Sequence, residues 1–372
     1  MKLSGYAKKD AKTKNLVKRL KKNDIPIIFH EDIDEVAAYS LIEKGVKLVI
    51  NCAQSFTGKY PANGVKILLE NNIIIYDNVG IDIFNNIEEG DFVEINDDKL
   101  FINKIFLCNI NQLDYNDFLR KYEISYKNME TLLDEFIQNT LEYARKEKSF
   151  ILGNFEMPTL KTSFAGKQVL VVTRGTSFKK DIKAIKNYIK EVKPVIMAVD
   201  GAADALLDEN IKPDIIIGDM DSISERSMLA CKEIIVHSYT NGYAPGLKKV
   251  KEIGIDANII SCPGTSEDVA LLLAYEKGAE LIVSVGSHTN ILDFLEKGRK
   301  GMASTLLVRL KIGSKLVDAK GVSKLYTEKF SVKYLLFIIM AALIPLFAII
   351  LTTPPFQYLF YFVQLKLKSL LR

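Results

Sequence analysis

The sequence predicts an α/β protein whose main domain is a doubly wound, mostly parallel sheet. Three observations carry that prediction. Short, largely apolar runs recur at 168–172, 195–199, 214–217, 234–236, 258–261 and 281–285. Stretches of helical composition, such as 181–191 and 268–277, separate them. Small, acidic or hydroxylic residues follow five of the runs, where an open parallel sheet presents its ligand crevice. Strands apolar along their length need cover on both faces, which a parallel sheet between helices supplies.

The 372 residues are 48% apolar and 26% charged, enough for two soluble domains and too apolar for disorder. Residues 1–24 read as a basic N-terminal arm, since nine Lys and Arg stand against Asp10 in the first 22 positions. Such an arm meets phosphates or an anionic membrane, or is simply a solvated helix face. No nucleic-acid module accompanies it, so nucleic acid is not an expected partner. Residues 25–112 read as a small α/β domain with runs at 25–29, 46–50 and 73–76 and a helix at 34–44. Gly90 and Asp97-Asp98 punctuate short strands at 92–95 and 100–105. Residues 113–150 form a connector helix, in which Met129, Leu132, Leu133, Phe136, Ile137 and Leu141 recur at helical spacing. That stripe suits packing against a domain better than a coiled-coil seam. The doubly wound domain takes residues 151–330.

No charge occurs from 334 to 365, a run of 32 residues. Its first part predicts a transmembrane helix over 334–352, followed by an amphipathic, interfacial tail over 353–372. Pro354-Pro355 breaks the run, so a shallow hairpin is the alternative to a single span. Lys315, Lys320, Lys324, Lys329 and Lys333 precede the run, while Lys366, Lys368 and Arg372 follow it. The preceding excess favours a single-pass protein of the cell membrane with a cytoplasmic body. Four cysteines without paired spacing predict neither disulfides nor zinc, and the N-terminus has no apolar signal core.

The crevice residues can be read from the run ends. Thr173-Arg174-Gly175-Thr176-Ser177, Asp200-Gly201, Gly218-Asp219-Met220-Asp221-Ser222, Gly264-Thr265-Ser266-Glu267-Asp268 and Gly286-Ser287-His288 follow five of them. In an extended loop Asp219 and Asp221 share one side. Two carboxylates facing a phosphate repel it unless a divalent cation lies between, and hard oxygen ligands suit Mg²⁺. Asp268 is the expected third ligand and Asp200 a further acid; a turn or helix cap accounts for either equally well. Gly264, Thr265 and Ser266 open a helix, fit for a phosphate or an N-cap. Arg174 and Gly175 offer a cation over phosphates. His288 stands alone at a strand end, where a local hydrogen bond is the simpler role. Asp219, Asp221 and Asp268 are thus the expected catalytic and metal residues, and Arg174, Gly175, Asp200, Gly201, Gly264, Thr265, Ser266 and His288 the expected nucleotide contacts.

Residues 199–206 (Val-Asp-Gly-Ala-Ala-Asp-Ala-Leu) and 212–223 (Lys-Pro-Asp-Ile-Ile-Ile-Gly-Asp-Met-Asp-Ser-Ile) resemble the catalytic domain of thiamine pyrophosphokinases. That family transfers diphosphate from ATP to thiamine using Mg²⁺. The resemblance implies that Asp219 and Asp221 hold the metal and that Asp268 completes the site. Two departures stand out: the family's Gly-Gly-Arg-x-Asp-His element gives way to Gly286-Ser287-His288-Thr289, and its C-terminal β-sandwich has no counterpart. Ser55-Phe56-Thr57-Gly58, followed by a helix and the strand 72–75, resembles the swivelling β/β/α domains of phosphoenolpyruvate-utilising enzymes, without their phosphoryl-carrying histidine.

A broader resemblance covers nearly the whole chain. Lys12-Thr13-Lys14 with Leu16, residues 55–61, Ala244-Pro245-Gly246-Leu247, residues 298–305 and residues 318–323 are similar to the cytokinetic ring protein SteA family. Its members join a thiamine-pyrophosphokinase-like domain to a membrane segment and are implicated in bacterial septation. The resemblance implies a membrane-anchored protein that binds Mg²⁺ with ATP or another nucleotide or diphosphate, and acts in cell division at the septum. A septation protein and a second copy of the chain are the partners it suggests. The alternative is an active thiamine diphosphokinase-type enzyme.

Overall fold

The computed structural model describes residues 2–152, 156–325 and 332–370. Residues 1–323 form one compact unit, and residues 324–372 form another. The expected domain boundary at 330, with Lys329, and the terminal Arg372 lie outside the described residues.

The first sheet contains β1 (Lys2–Asp10), β2 (Ile25–Ile28), β3 (Leu48–Asn51), β4 (Ile74–Asp77), β5 (Phe92–Asn96), β6 (Lys99–Ile102), β7 (Ile105–Asn109) and β8 (Asn111–Gln112). Their order is β7-β6-β5-β1-β2-β3-β4-β8. Strand β1 serves two partners, running parallel to β2 over Ala7–Asp10 and antiparallel to β5 over Lys2–Tyr6. Leu16, Ala38, Leu41, Val65 and Leu68 from helices cover Ile28, Val49 and Ile75 on one face. Alternate residues Ile27, Leu48 and Ile50 pack with Val93, Ile95 and Leu100 of the antiparallel strands. A helix layer, a parallel layer and an antiparallel layer result.

The basic segment is therefore no arm. Ala7 and Leu16 are fully buried, so residues 2–10 enter the sheet and Thr13–Arg19 forms a helix on it. The charges that suggested an arm lie outward, where Lys8 and Arg19 pair with Glu89 and Arg19 also with Asp10. Another difference lies at 100–105, where left-handed Asn103 and Lys104 make a turn that divides the expected strand into β6 and β7.

A 32-residue helix, Tyr115–Lys146, follows. Asp114 caps it by accepting from the amides of Asn116 and Asp117. At ~1.5 Å per residue it extends about 48 Å. Phe118 meets Phe56 of the first domain at a ring separation of 5.0 Å, and Phe136 meets Phe294 of the second at 6.2 Å.

The second sheet contains β9 (Gln168–Val172), β10 (Val195–Val199), β11 (Ile215–Gly218), β12 (Glu233–Ser238), β13 (Ala257–Ser261), β14 (Leu281–Val285) and β15 (Leu316–Asp318). Every pairing is parallel, in the order β13-β12-β11-β10-β9-β14-β15. Val169, Val171, Met197 and Ile217 face the helices Ser266–Glu276 and Ala303–Ile312, while Leu170, Val172, Ala198 and Ile216 face the opposite layer. The two-sided cover predicted for these strands is present. The chain steps from β9 out to β13 and then returns to β14 on the other side of β9, which makes β9 the topological switch. The helix expected at 181–191 is two, Phe178–Ala184 and Lys186–Val192.

The other unit holds the helices Val332–Thr352, with Pro345 inside it, and Pro354–Leu370. Among the described residues no single helix is long and apolar enough to cross a membrane; Phe337–Ile350 and Pro354–Leu370, bent by 82°, meet that measure only together. The segment expected as a transmembrane helix, 334–352, lies within the helix Val332–Thr352. Proline at 354 and 355 fixes the break, because it lacks the amide proton needed to continue the preceding helix.

Candidate functional site

The switch point places Thr173 and Arg174 beside Asp200 and the residues that follow β14. Asp200 adopts a left-handed conformation at the end of β10 and turns its carboxylate toward β11. Its Oδ1 accepts the Asp219 amide at 2.9 Å. Gly218 makes this approach possible, since a Cβ there would lie 1.7 Å from that oxygen. Burial first, and the neighbouring Asp219 charge second, push the Asp200 carboxyl up to about 7.

Asp219 and Asp221 are both exposed, on a turn and not in the expected extended loop. Met220 between them is left-handed and fully buried, and Asp219 Oδ1 accepts the Asp221 amide at 3.0 Å. The buried methionine anchors the turn and leaves the carboxylates facing outward.

Asp268 does not join them. It is fully buried, and its Oδ2 accepts from the Thr265 amide at 3.1 Å and the hydroxyls of Ser304 and Thr305 at 2.8 and 3.0 Å. Thr265 returns the contact by accepting the Asp268 amide, so these two residues form the capping box of Ser266–Glu276. Among the described residues no group of three or more His, Cys, Asp or Glu side chains is arranged to hold a metal ion. Two exposed carboxylates remain, a donor set that suits Mg²⁺ when phosphate oxygens and water complete its shell.

A cavity of about 270 Å³ opens at the switch point, lined by Asp34, Arg174, Asp200, Ser222, His288 and Lys297 among others. Arg174, Asp200 and His288 are thus brought together, and Gly201 lines an adjoining cavity of about 320 Å³. Gly175 packs directly against Gly286. Gly264 belongs elsewhere, in a cavity of about 370 Å³ with Arg299 and Lys300. Thr265 commits its hydroxyl to the cap, and Ser266 Oγ lies 3.1 Å from His237 Nδ1.

His288 has more partners than a lone strand-end histidine suggests. Its Nδ1 lies 3.1 Å from Oε2 of buried Glu267, whose Oε1 faces Arg309 at 3.5 Å. A carboxylate only accepts, so Nδ1 carries the proton and Nε2 accepts from Lys297 Nζ at 2.7 Å. Burial opposes ionisation of Glu267, but His288 and Arg309 outweigh it and hold the carboxyl below its usual range. Burial of the ammonium end lowers Lys297.

Lys14, Asp34, Glu267 and Lys297 escaped the sequence reading of the site. Lys14 lay within a basic segment and Glu267 beside Asp268, but nothing local connects either to Arg174. Their proximity to the crevice arises from packing between the two sheets' domains and from the return of the chain to β14.

Residues 135–289 match the family model described as 6-hydroxymethylpterin diphosphokinase MptE-like, and residues 320–371 match the SteA-like C-terminal domain. The 6-hydroxymethyl-7,8-dihydropterin pyrophosphokinase of Methanocaldococcus jannaschii is 33% identical over 155 residues, covering 36% of this chain and 63% of that protein. The chain therefore spans less than two thirds of the relative's length. A thiamine pyrophosphokinase structure from Bacillus subtilis is 20% identical, with a TM-score of 0.26, over 41% of this chain and 60% of that one. A 3-isopropylmalate dehydratase (leuD) structure from Methanocaldococcus jannaschii is 17% identical, with a TM-score of 0.21, over 35% and 98%.

The parallel sheet and the matched segment define the class of the second domain as diphosphokinase-like α/β. The pairing of an MptE-like segment with a SteA-like C-terminal domain supports the resemblance to the SteA family.

Proposed function

We propose that the protein binds a nucleotide or diphosphate together with Mg²⁺ in the crevice at the ends of β9 to β11. The observation that carries this reading is a half-buried Arg174 lining the switch-point cavity beside Asp200, whose carboxylate accepts the amide of the Asp219 turn. Asp219 and Asp221 would hold Mg²⁺, which supplies positive charge to the phosphates when bound. Arg174 would contact the phosphate oxygens, and Asp200 would orient the metal-binding turn through the Asp219 amide. The apolar helices after residue 332 would anchor the protein to the cell membrane with its body in the cytoplasm. The SteA-like match favours a role in cell division, with a septation protein as partner.

The deciding measurement is calorimetric titration of the full chain in lipid nanodiscs with ATP and with pyrophosphate, each with and without Mg²⁺. Saturable, Mg²⁺-dependent binding is expected; no binding of either would sink the reading. A second reading, diphosphate transfer from ATP to an alcohol such as thiamine or a hydroxymethylpterin, draws on the printed activity of the Methanocaldococcus relative. AMP release that requires the alcohol would establish it. The divisional role has its own test, in which a fluorescent fusion is expected at the septum and an even distribution round the membrane counts against it.

A further inference from the structure

Lys14 and Lys18 lie one turn apart on the helix Thr13–Arg19 of the first domain, so they project from one face. Lys18 is committed across the seam between the domains. Its Nζ donates to the Ser222 carbonyl at 3.0 Å and lies 3.6 Å from Asp204 Oδ2. Lys14 makes no hydrogen bond or ion pair among the described residues, and neither does Arg174 on the opposite side. These two cations line the same three adjoining cavities, of about 350, 270 and 320 Å³.

The acids around Arg174 are engaged elsewhere. Asp34 caps the helix Glu35–Glu43 by accepting the Ala37 amide, Asp200 accepts the Asp219 amide, and Asp204 accepts from Ser224 and Ser227. None hydrogen-bonds the guanidinium, which instead lies against Gly201, where a Cβ would stand 2.9 Å from Nη1. A guanidinium removed from water without an acceptor is costly, and its fork fits phosphate oxygens.

We propose that the anionic ligand is gripped from both domains, with Lys14 of the first domain and Arg174 of the second contacting the same phosphate group. The site is then incomplete in the second domain alone. This inference rests on the proposed phosphate-binding crevice and adds to it a residue outside the matched segment 135–289. It also gives the first domain a purpose, since ligand binding would fasten the two domains together.

The test uses the full chain in nanodiscs, titrated with pyrophosphate, ATP and inorganic phosphate in the presence of Mg²⁺. Arg174→Met is expected to weaken pyrophosphate binding about 10- to 100-fold and Lys14→Met about 10-fold, as for charge-assisted contacts. Lys14→Arg should restore most of the loss, and the double variant should lose less than the product of the single effects, because both residues hold one group. Melting of ligand-free Lys14→Met should match wild type, which separates a binding role from a folding one. Wild-type binding unchanged by Lys14→Met, with Arg174→Met weakened, would overturn the two-domain grip and leave the crevice reading intact. Absence of binding to wild type would overturn both.

Discussion

Asp219 and Asp221 stand exposed on a turn after β11, whereas Glu267 and Asp268, in the first turn of the helix Ser266–Glu276, are buried among donors. Apart from Asp219 Oδ1, which accepts the Asp221 amide, the first pair keeps its oxygens outward. The second is drawn inward by its helix, in which every residue from Glu267 to Ala274 is buried. Asp268 Oδ2 is taken by the Thr265 amide and two hydroxyls while Oδ1 is buried without a hydrogen-bond partner, and Glu267 is engaged by His288 and Arg309. A carboxylate near a crevice is available to a ligand only when it keeps an exposed oxygen to which no neighbouring group donates.

Asp268→Ala should provide the largest effect. It removes the carboxylate half of the capping box, which accepts the Thr265 amide, and strands the hydroxyls of Ser304 and Thr305, which together cost about 2–4 kcal/mol. Thermal or denaturant unfolding would measure this. Asp268→Asn keeps an acceptor and avoids a buried charge, so it should cost about 1 kcal/mol or less. Unchanged stability in Asp268→Ala together with lost Mg²⁺ dependence would return Asp268 to the metal set and erase the contrast.

Glu267→Gln should come next, at about 1–3 kcal/mol near neutral pH, because it weakens contacts with His288 and Arg309. The sign with pH is fixed by the lowered carboxyl. Wild-type stabilisation by Glu267 is fully present above the unfolded-state value of 4.5 and is lost as pH falls through the lower folded-state value. Unfolding curves of wild type and Glu267→Gln should therefore converge on acidification below about pH 4.5. A constant difference down to acid denaturation would show that Glu267 acts through packing alone.

These contrasts also mark what local sequence can convey. Strands such as 168–172, 195–199 and 281–285 coincide with the predicted runs, because two-sided burial imprints apolar residues along the strand. The Asp219 turn was legible because two acids one residue apart directly follow the apolar run that ends at Ile217. The segment 1–24 was misread because lysines on the outward side of β1 mask Ala7 and Leu16 beneath. Asp268 was misassigned because a capping box and a metal ligand share the same residue types. Lys14 and Lys297 were missed since tertiary contacts alone bring them to the crevice.

The smallest stability effect should come from Asp219→Ala, within about 0.5 kcal/mol of wild type, since the side chain is exposed. Its binding effect should be large by comparison: Mg²⁺-dependent pyrophosphate affinity is expected to fall at least about 10-fold if the carboxylate holds the cation. Asp219→Asn sharpens the point further, because it preserves the turn's acceptor while removing the charge that adds to burial in raising Asp200. Carboxyl NMR titration in Mg²⁺-free buffer should then place the Asp200 midpoint below that of wild type, where burial and the Asp219 charge together push it up. An unmoved midpoint would mean that burial alone sets Asp200, and that the exposed acids are electrostatically separate from the crevice they border.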